Sequence, residues 1–167
     1  MVMVRHPVKR ALEEFGADSS DLSALKKHSK ASVDNYLVRA LLGMLEDDTE
    51  ADKLEEITAD HVETAKQILR QHFVVGIHEW FDVSIVRFEK YLGWWQQHHV
   101  LTNKTVNNCH YKVIGDFEKA QKGTTKGQSV ADQASANAYS FLMDRHWADV
   151  ELYHAAKTLF VEQAKLL

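Results

Sequence analysis

The chain opens on "MVMV", an apolar run with β-branched residues at alternate positions, which reads as a short buried strand. Pro7 follows where a helix accepts proline, in the first turn, because its missing N–H would have no partner there. The helix "VKRALEEF" then runs to a stop at Gly16. "ADSSDLSALKKHSK" is polar and reads as a loop. Ser32 is placed to cap the next helix, on which Val33, Tyr36, Leu37, Ala40, Leu41 and Met44 fall at helical spacing. "EDDTEADKLEE" reads as an acidic connection, and Thr58 caps a further helix whose stripe is Val62, Ala65, Ile68 and Leu69.

"HFVVGI" (His72–Ile77) breaks that period. It is short and β-branched and is closed by a polar "HE", so it predicts a second buried strand. Asp82 is placed to cap the helix after it, where Phe81, Ile85, Phe88 and Leu92 share a face and Gly93 supplies the stop. "WWQQHHVLTNKTVNNCHYKV" takes no clear assignment. A final helix starts near Asp149, with Tyr153, Ala156, Phe160 and Ala164 on one side. The pattern is predominantly helical with about two strands, an α/β class. Two strands alone make a poor sheet, which points to part of a larger layer.

Length and charge narrow the reading. The 167 residues suit a single domain, 1–167, with a real core. The net charge of -4 gives no basic footprint, so no nucleic-acid partner is expected. The run "KKHSK" at Lys26–Lys30 reads as a solvated face. No apolar run approaches the roughly 20 residues that span a bilayer, and "MVMVRHP" lacks the charged start of a signal peptide. Cys109 is the one cysteine, so no internal disulfide forms and a reducing compartment is the simple inference. "NKT" at Asn103–Thr105 is a glycosylation sequon, and "QKGTTKGQS" (Gln121–Ser129) reads as an exposed loop.

Most candidate chemistry is thin. His72 with His78, the pair His98 and His99, and His110 beside Cys109 show no helical His-x3-His pair with a third ligand, so no metal site is expected. Cys109 and His110 are adjacent in sequence, which says little about a nucleophile and its base. Trp94 and Trp95 follow a helix end and read as packing anchors. The opening motif is different. In an open α/β sheet, ligands bind beyond the carboxyl ends of the strands. Arg5 stands at that end of "MVMV", beside the N-terminus of the helix that starts at Pro7. A guanidinium next to such a helix end suits a phosphate, to which it donates two parallel hydrogen bonds.

"VRHPVKRALEEFG" resembles the strand–helix segment of Golgi-type carbohydrate O-sulfotransferases, which use 3′-phosphoadenosine 5′-phosphosulfate (PAPS). Three later stretches are similar to the same family in the same order. "NYLVRALLG" (Asn35–Gly43) resembles its Asn-aromatic-x-x-Arg-x-x-x-Gly helix. "AKQILRQHFVVGIHEWFDVSIVRFEKYLGW" (Ala65–Trp94) resembles its segment of a helix, a Phe-x-x-Gly strand and an aromatic-Asp-x-Ser helix. "DVELYHAAKTLFVEQ" (Asp149–Gln163) resembles its closing Asp-x-x-Leu-Tyr helix.

The resemblance implies a partial P-loop-type sulfotransferase fold with two parallel strands. It implies transfer of a sulfuryl group from PAPS to a carbohydrate hydroxyl, and a Golgi lumen location. Arg5 carries over as a cofactor-binding residue, a ligand of the 3′-phosphate. The family's serine eight positions later does not carry over, because Glu13 stands there, and His6 replaces the Asp that follows the arginine. The family's Gly-rich phosphosulfate loop and catalytic base lie upstream of this motif, so the chain reads as the C-terminal portion and no catalytic residue is assigned. Two alternatives stand beside a part of an enzyme. One is a non-catalytic remnant that binds through an exposed sheet edge; the other is an incomplete chain with a missing N-terminal half.

Overall fold

The computed structural model describes residues 1–15, 22–45, 54–93, 111–119 and 135–165. Strand β1 spans Val2–Val4, followed by α1 (Pro7–Phe15), α2 (Leu22–Ala31), α3 (Tyr36–Leu42) and α4 (Ala59–His72). Strand β2 (Val75–Ile77) leads through a 3₁₀ turn at His78–Trp80 into α5 (Phe81–Tyr91). Residues 111–119 are helical, and α6 (Ala136–Arg145) and α7 (Trp147–Gln163) close the chain. The described residues are thus mostly helical with two short strands, as the hydrophobic pattern predicts, and the strands pair in parallel as one sheet.

The two strands pair in register, Val2 with Val75, Met3 with Gly76 and Val4 with Ile77. Both therefore end at the same edge, which puts Arg5–His6 and His78–Glu79 side by side. Gly76 is required there: a Cβ would lie 2.6 Å from Cζ of Phe88 and 3.1 Å from Sδ of Met3. The outer edge of β2 is closed by side chains. Val75 donates its N–H to Oε1 of Gln163 at 2.9 Å, and Ile77 donates to Oγ of Ser84 at 2.8 Å. Buried N–H groups need such partners when no third strand supplies them. The edge of β2 is therefore not an open one.

The core has two parts. Val4, Val38, Val62, Ala65, Leu69, Val75, Ile77 and the inner side of α7 form one. Val8, Leu12, Leu25, Ala138, Leu142 and Val150 form the other. Helix α7 contributes to both. Its buried residues run from Ala148 to Phe160 around more than one side, so it packs against α4, β2 and α3 as well as α1 and α6. A helix buried on several sides loses the single-stripe pattern.

Several local expectations shift. Residues 22–31 form α2 rather than loop, because Leu25 inserts between α1 and α6 in the second core. On α3 the expected face is rotated: Tyr36 is exposed and Val38 and Arg39 are buried. On α5, Leu92 is exposed, and the buried positions are Ser84, Arg87 and Glu89. Ser32 does not cap α3; its hydroxyl donates to the Ser29 carbonyl at 3.1 Å, and Asn35 is the N-cap. Asp82 lies inside the first turn of α5 rather than at its cap. Thr58 does cap α4, in a reciprocal box with His61. Helix α6, to which the sequence reading assigned no element, is capped by Ser135.

Candidate functional site

Arg5 leaves β1 at its carboxyl end and reaches along the first turns of α1. Its guanidinium forms an ion pair with the carboxylate of Glu13, one and a half to two helical turns into α1. The Arg5 side chain is 27% exposed and that of Glu13 47% exposed, so both reach solvent. Positions 5 and 13 are the two at which the family pattern has its arginine and serine. Here they converge, but as a cation with a carboxylate.

The N-terminus of α1 has its own anion. The backbone N–H of His6, whose carbonyl accepts the first helical hydrogen bond from Arg10 N–H, donates to Oε1 of Glu79 at 3.0 Å. The other oxygen of Glu79 accepts from the Tyr153 hydroxyl at 3.1 Å. Glu79 thus ties the ends of both strands to α7. A carboxylate at a helix N-terminus is favoured by the helix dipole and by the free N–H groups there.

Three titratable rings surround this corner. His6 sits edge-on to Tyr153, with ring centres 5.0 Å apart, and its Nδ1 is buried with no hydrogen-bond partner among the described residues. Burial holds His6 below the usual histidine range; Glu79 opposes this, and Lys9, His154 and Lys157 add to it. His78 is lowered by burial and then by the Arg5 cation, against Glu79 and Glu13. Burial pushes the Tyr153 hydroxyl above its usual range, and Glu79 reinforces the shift. At neutral pH the His6 and His78 rings and the Tyr153 hydroxyl are therefore neutral.

The sequence reading singled out Arg5 and noted Glu13 and His6, and the three meet here. It missed Glu79 and Tyr153 as members of the corner. The signal was present for Glu79, which follows β2 as His6 follows β1. His72 lies at the exposed end of α4, before the amino end of β2 rather than at the strands' carboxyl ends, and no group of three metal-ligating side chains occurs among the described residues. His98, His99, Cys109, His110, Trp94, Trp95, Asn103 and the loop 121–129 lie outside the described residues.

The remaining positions that carry the resemblance are built into the framework. Asn35 accepts from Ala148 N–H at 3.0 Å and Asp149 N–H at 3.3 Å, so it caps α7. Asp149 in turn accepts from Leu37 N–H at 3.0 Å and Val38 N–H at 2.9 Å, so it caps α3. Arg39, 2% exposed, donates to Oδ1 of Asp34 at 2.9 Å and to the Glu55 carbonyl at 2.7 Å. Gly43 supplies the left-handed residue that ends α3. A cleft of about 610 Å³ lies beside this network, lined by Asp34, Arg39, Ile57, Phe141, Arg145 and Trp147 among others; Arg5 and Glu79 are not part of it.

No family profile, curated protein or solved structure matches this chain. Among the described residues, no helix is long and apolar enough to cross a membrane.

Proposed function

We propose that the protein is a sulfotransferase-like domain of the PAPS-dependent carbohydrate type, in which the turn at Arg5 recognises a nucleotide and the domain acts in binding. The observation that carries this reading is the convergence of Arg5 and Glu13 at the carboxyl end of a parallel strand. Ligands of open α/β sheets bind at that end, and an arginine there suits a phosphoryl or sulfuryl oxygen. The meeting of all four resembling stretches in one framework supports it further: α7 packs against α1, α3 and β2, and β2 against β1 and α5.

The residues present do not fit a 3′-phosphate. Glu13 offers only acceptors where a hydroxyl would donate, and it neutralises Arg5. Glu79 already accepts the N–H at the start of α1. No transfer step is therefore assigned to these residues. In an enzyme of this type, sulfuryl transfer from PAPS to a carbohydrate hydroxyl would draw its phosphosulfate loop and base from other residues. This chain would contribute the Arg5 contact and part of the acceptor wall. The two carboxylates at this turn, Glu13 and Glu79, favour a binding role over a catalytic one.

Calorimetric titration with 3′,5′-ADP tests the reading. Binding to the Glu13→Ser protein is expected, and it should fall at least tenfold when Arg5→Ala is added. Absence of Arg5-dependent heat in both the wild-type and the Glu13→Ser backgrounds overturns the nucleotide site.

A further inference from the structure

We infer that a small cavity between α1, α2 and the joint of α6 with α7 binds one monatomic anion, chloride under ordinary salt conditions, held by N–H donors of His146 and Arg10. Arg5, Glu13 and Glu79 do not line this cavity, so the site is independent of the nucleotide reading.

His146 is the first reason. It is 3% exposed, sits between α6 and α7 and lines the cavity. Its Nδ1 accepts the Asn35 N–H at 3.3 Å, so the neutral ring carries its proton on Nε2. Among the described residues nothing accepts from that Nε2–H. Buried donors are rarely left without an acceptor; an ordered water or an ion supplies it when the protein does not.

The second reason is a pair of arginines. Arg10 lines the cavity, and its Nε is buried without a hydrogen bond; the Glu14 carboxylate lies 3.5 Å from that atom but forms none with it. Nε of Arg145 is likewise buried and without a hydrogen bond. Both guanidinium charges act on the His146 ring. Arg145 donates through Nη2 to the carbonyls of Ser29 and Ser32, and the Ser32 hydroxyl donates to Ser29 as well. Both serines line the cavity, so their carbonyls are already engaged. Glu14 offsets Arg10, and Asp34, the carboxylate that acts on His146, is paired with Arg39. Three guanidiniums thus stand against two carboxylates, and the charge of Arg145 is left over.

Size and chemistry then select the guest. The cavity measures about 20 Å³, above the roughly 10–15 Å³ that one water needs, so it takes a single small particle and no tetrahedral oxyanion. Water must donate as well as accept, and the serine carbonyls are taken. A halide only accepts, and its charge meets the surplus cation.

Chlorine NMR on the 167-residue protein tests the site. The wild type is expected to broaden the chloride line. Bromide should compete the excess width away, and sulfate at equal ionic strength should not. Arg10→Gln alters a partly exposed side chain and should weaken chloride binding about tenfold, with far-UV circular dichroism unchanged. Linkage gives a second readout: exchanging sodium gluconate for sodium chloride at constant ionic strength should raise the urea midpoint of the wild type and leave that of Arg10→Gln in place.

An unbroadened chloride line, or wild-type midpoints equal in the two salts, means that the cavity holds water and overturns the inference. Broadening that sulfate removes as readily as bromide, or that keeps its full width in folded Arg10→Gln, puts the chloride on the open surface and overturns it too. If Arg10→Gln does not fold, the bromide and sulfate competition in the wild type decides by itself.

Discussion

At Nδ1 of His146 the backbone N–H of Asn35 finds its acceptor, at 3.3 Å, and the residue is 3% exposed. Protonation would turn that acceptor into a donor facing a donor. Burial, with Arg10 and Arg145 adding to it, lowers the ring from 6.5 to about 4. The unfolded chain therefore binds more protons than the folded one between those values, and stability rises with pH across that window. Acidification from pH 6.5 to 4 is expected to remove roughly 3 kcal/mol through His146, because each tenfold loss of proton affinity on folding is worth about 1.36 kcal/mol. His6 and His78 are lowered too and act in the same direction. Asp149 is raised by burial, so acidification through its folded value restores part of the loss. Asn keeps an oxygen close to the Nδ1 position, so His146→Asn should at least halve the slope of urea midpoint against pH in this window. An unchanged slope would mean that other groups set the acid sensitivity. Histidine count said nothing of this, because the shift comes from where the ring is buried.

The helix ends show the same separation between local and distant causes. Thr58 and Ser135 were set by their neighbours: each hydroxyl accepts from an N–H three residues on. Thr58 could be read from its sequence. The N-terminus of α3 could not be, because its acceptor, Asp149, is 112 residues from Leu37. Asn35 sits at φ 45°, a left-handed conformation that asparagine tolerates, and this turns its side chain from its own helix toward α7. Each helix thus caps the other. Asp149→Ala leaves two N–H groups of α3 without their acceptors, one on buried Val38 and one on half-buried Leu37, and should cost about 2–3 kcal/mol by chemical denaturation. Asp149→Asn keeps one acceptor oxygen and should cost less. Asn35→Gly keeps the backbone conformation and removes only the side chain. A double-mutant cycle of Asn35→Gly with Asp149→Ala should show coupling of about 0.5 kcal/mol or more. Additive costs would mean that the two caps act independently.

Across the molecule, α7 joins two hydrophobic clusters that share no other helix among the described residues. Leu69 sits in one and Leu142 in the other, each 1% exposed. Truncation of either to alanine should cost about 2–5 kcal/mol, the range for buried leucines that leave a cavity. Because α7 carries both clusters, each variant should still unfold in one transition, with far-UV and near-UV circular dichroism coincident. Separate transitions in Leu142→Ala would show that the cluster around α1 and α6 melts by itself.

The features legible in the bare chain were periodic and local. Short β-branched runs in "MVMV" and "HFVVGI" marked the strands, 3.6-residue spacing marked α4 and α5, Thr58 marked a start and Gly93 marked an end. Arg5 was legible as a group at a strand end for the same reason. Packing alone settled which groups far apart in the chain face one another. The partner of Arg5 proved to be Glu13, Glu79 came to the start of α1, and Asp149 came to α3. Propensity and spacing act over a turn or two of chain. A hydrogen bond between residues 73 or 111 positions apart exists only after burial of the core has brought their elements together.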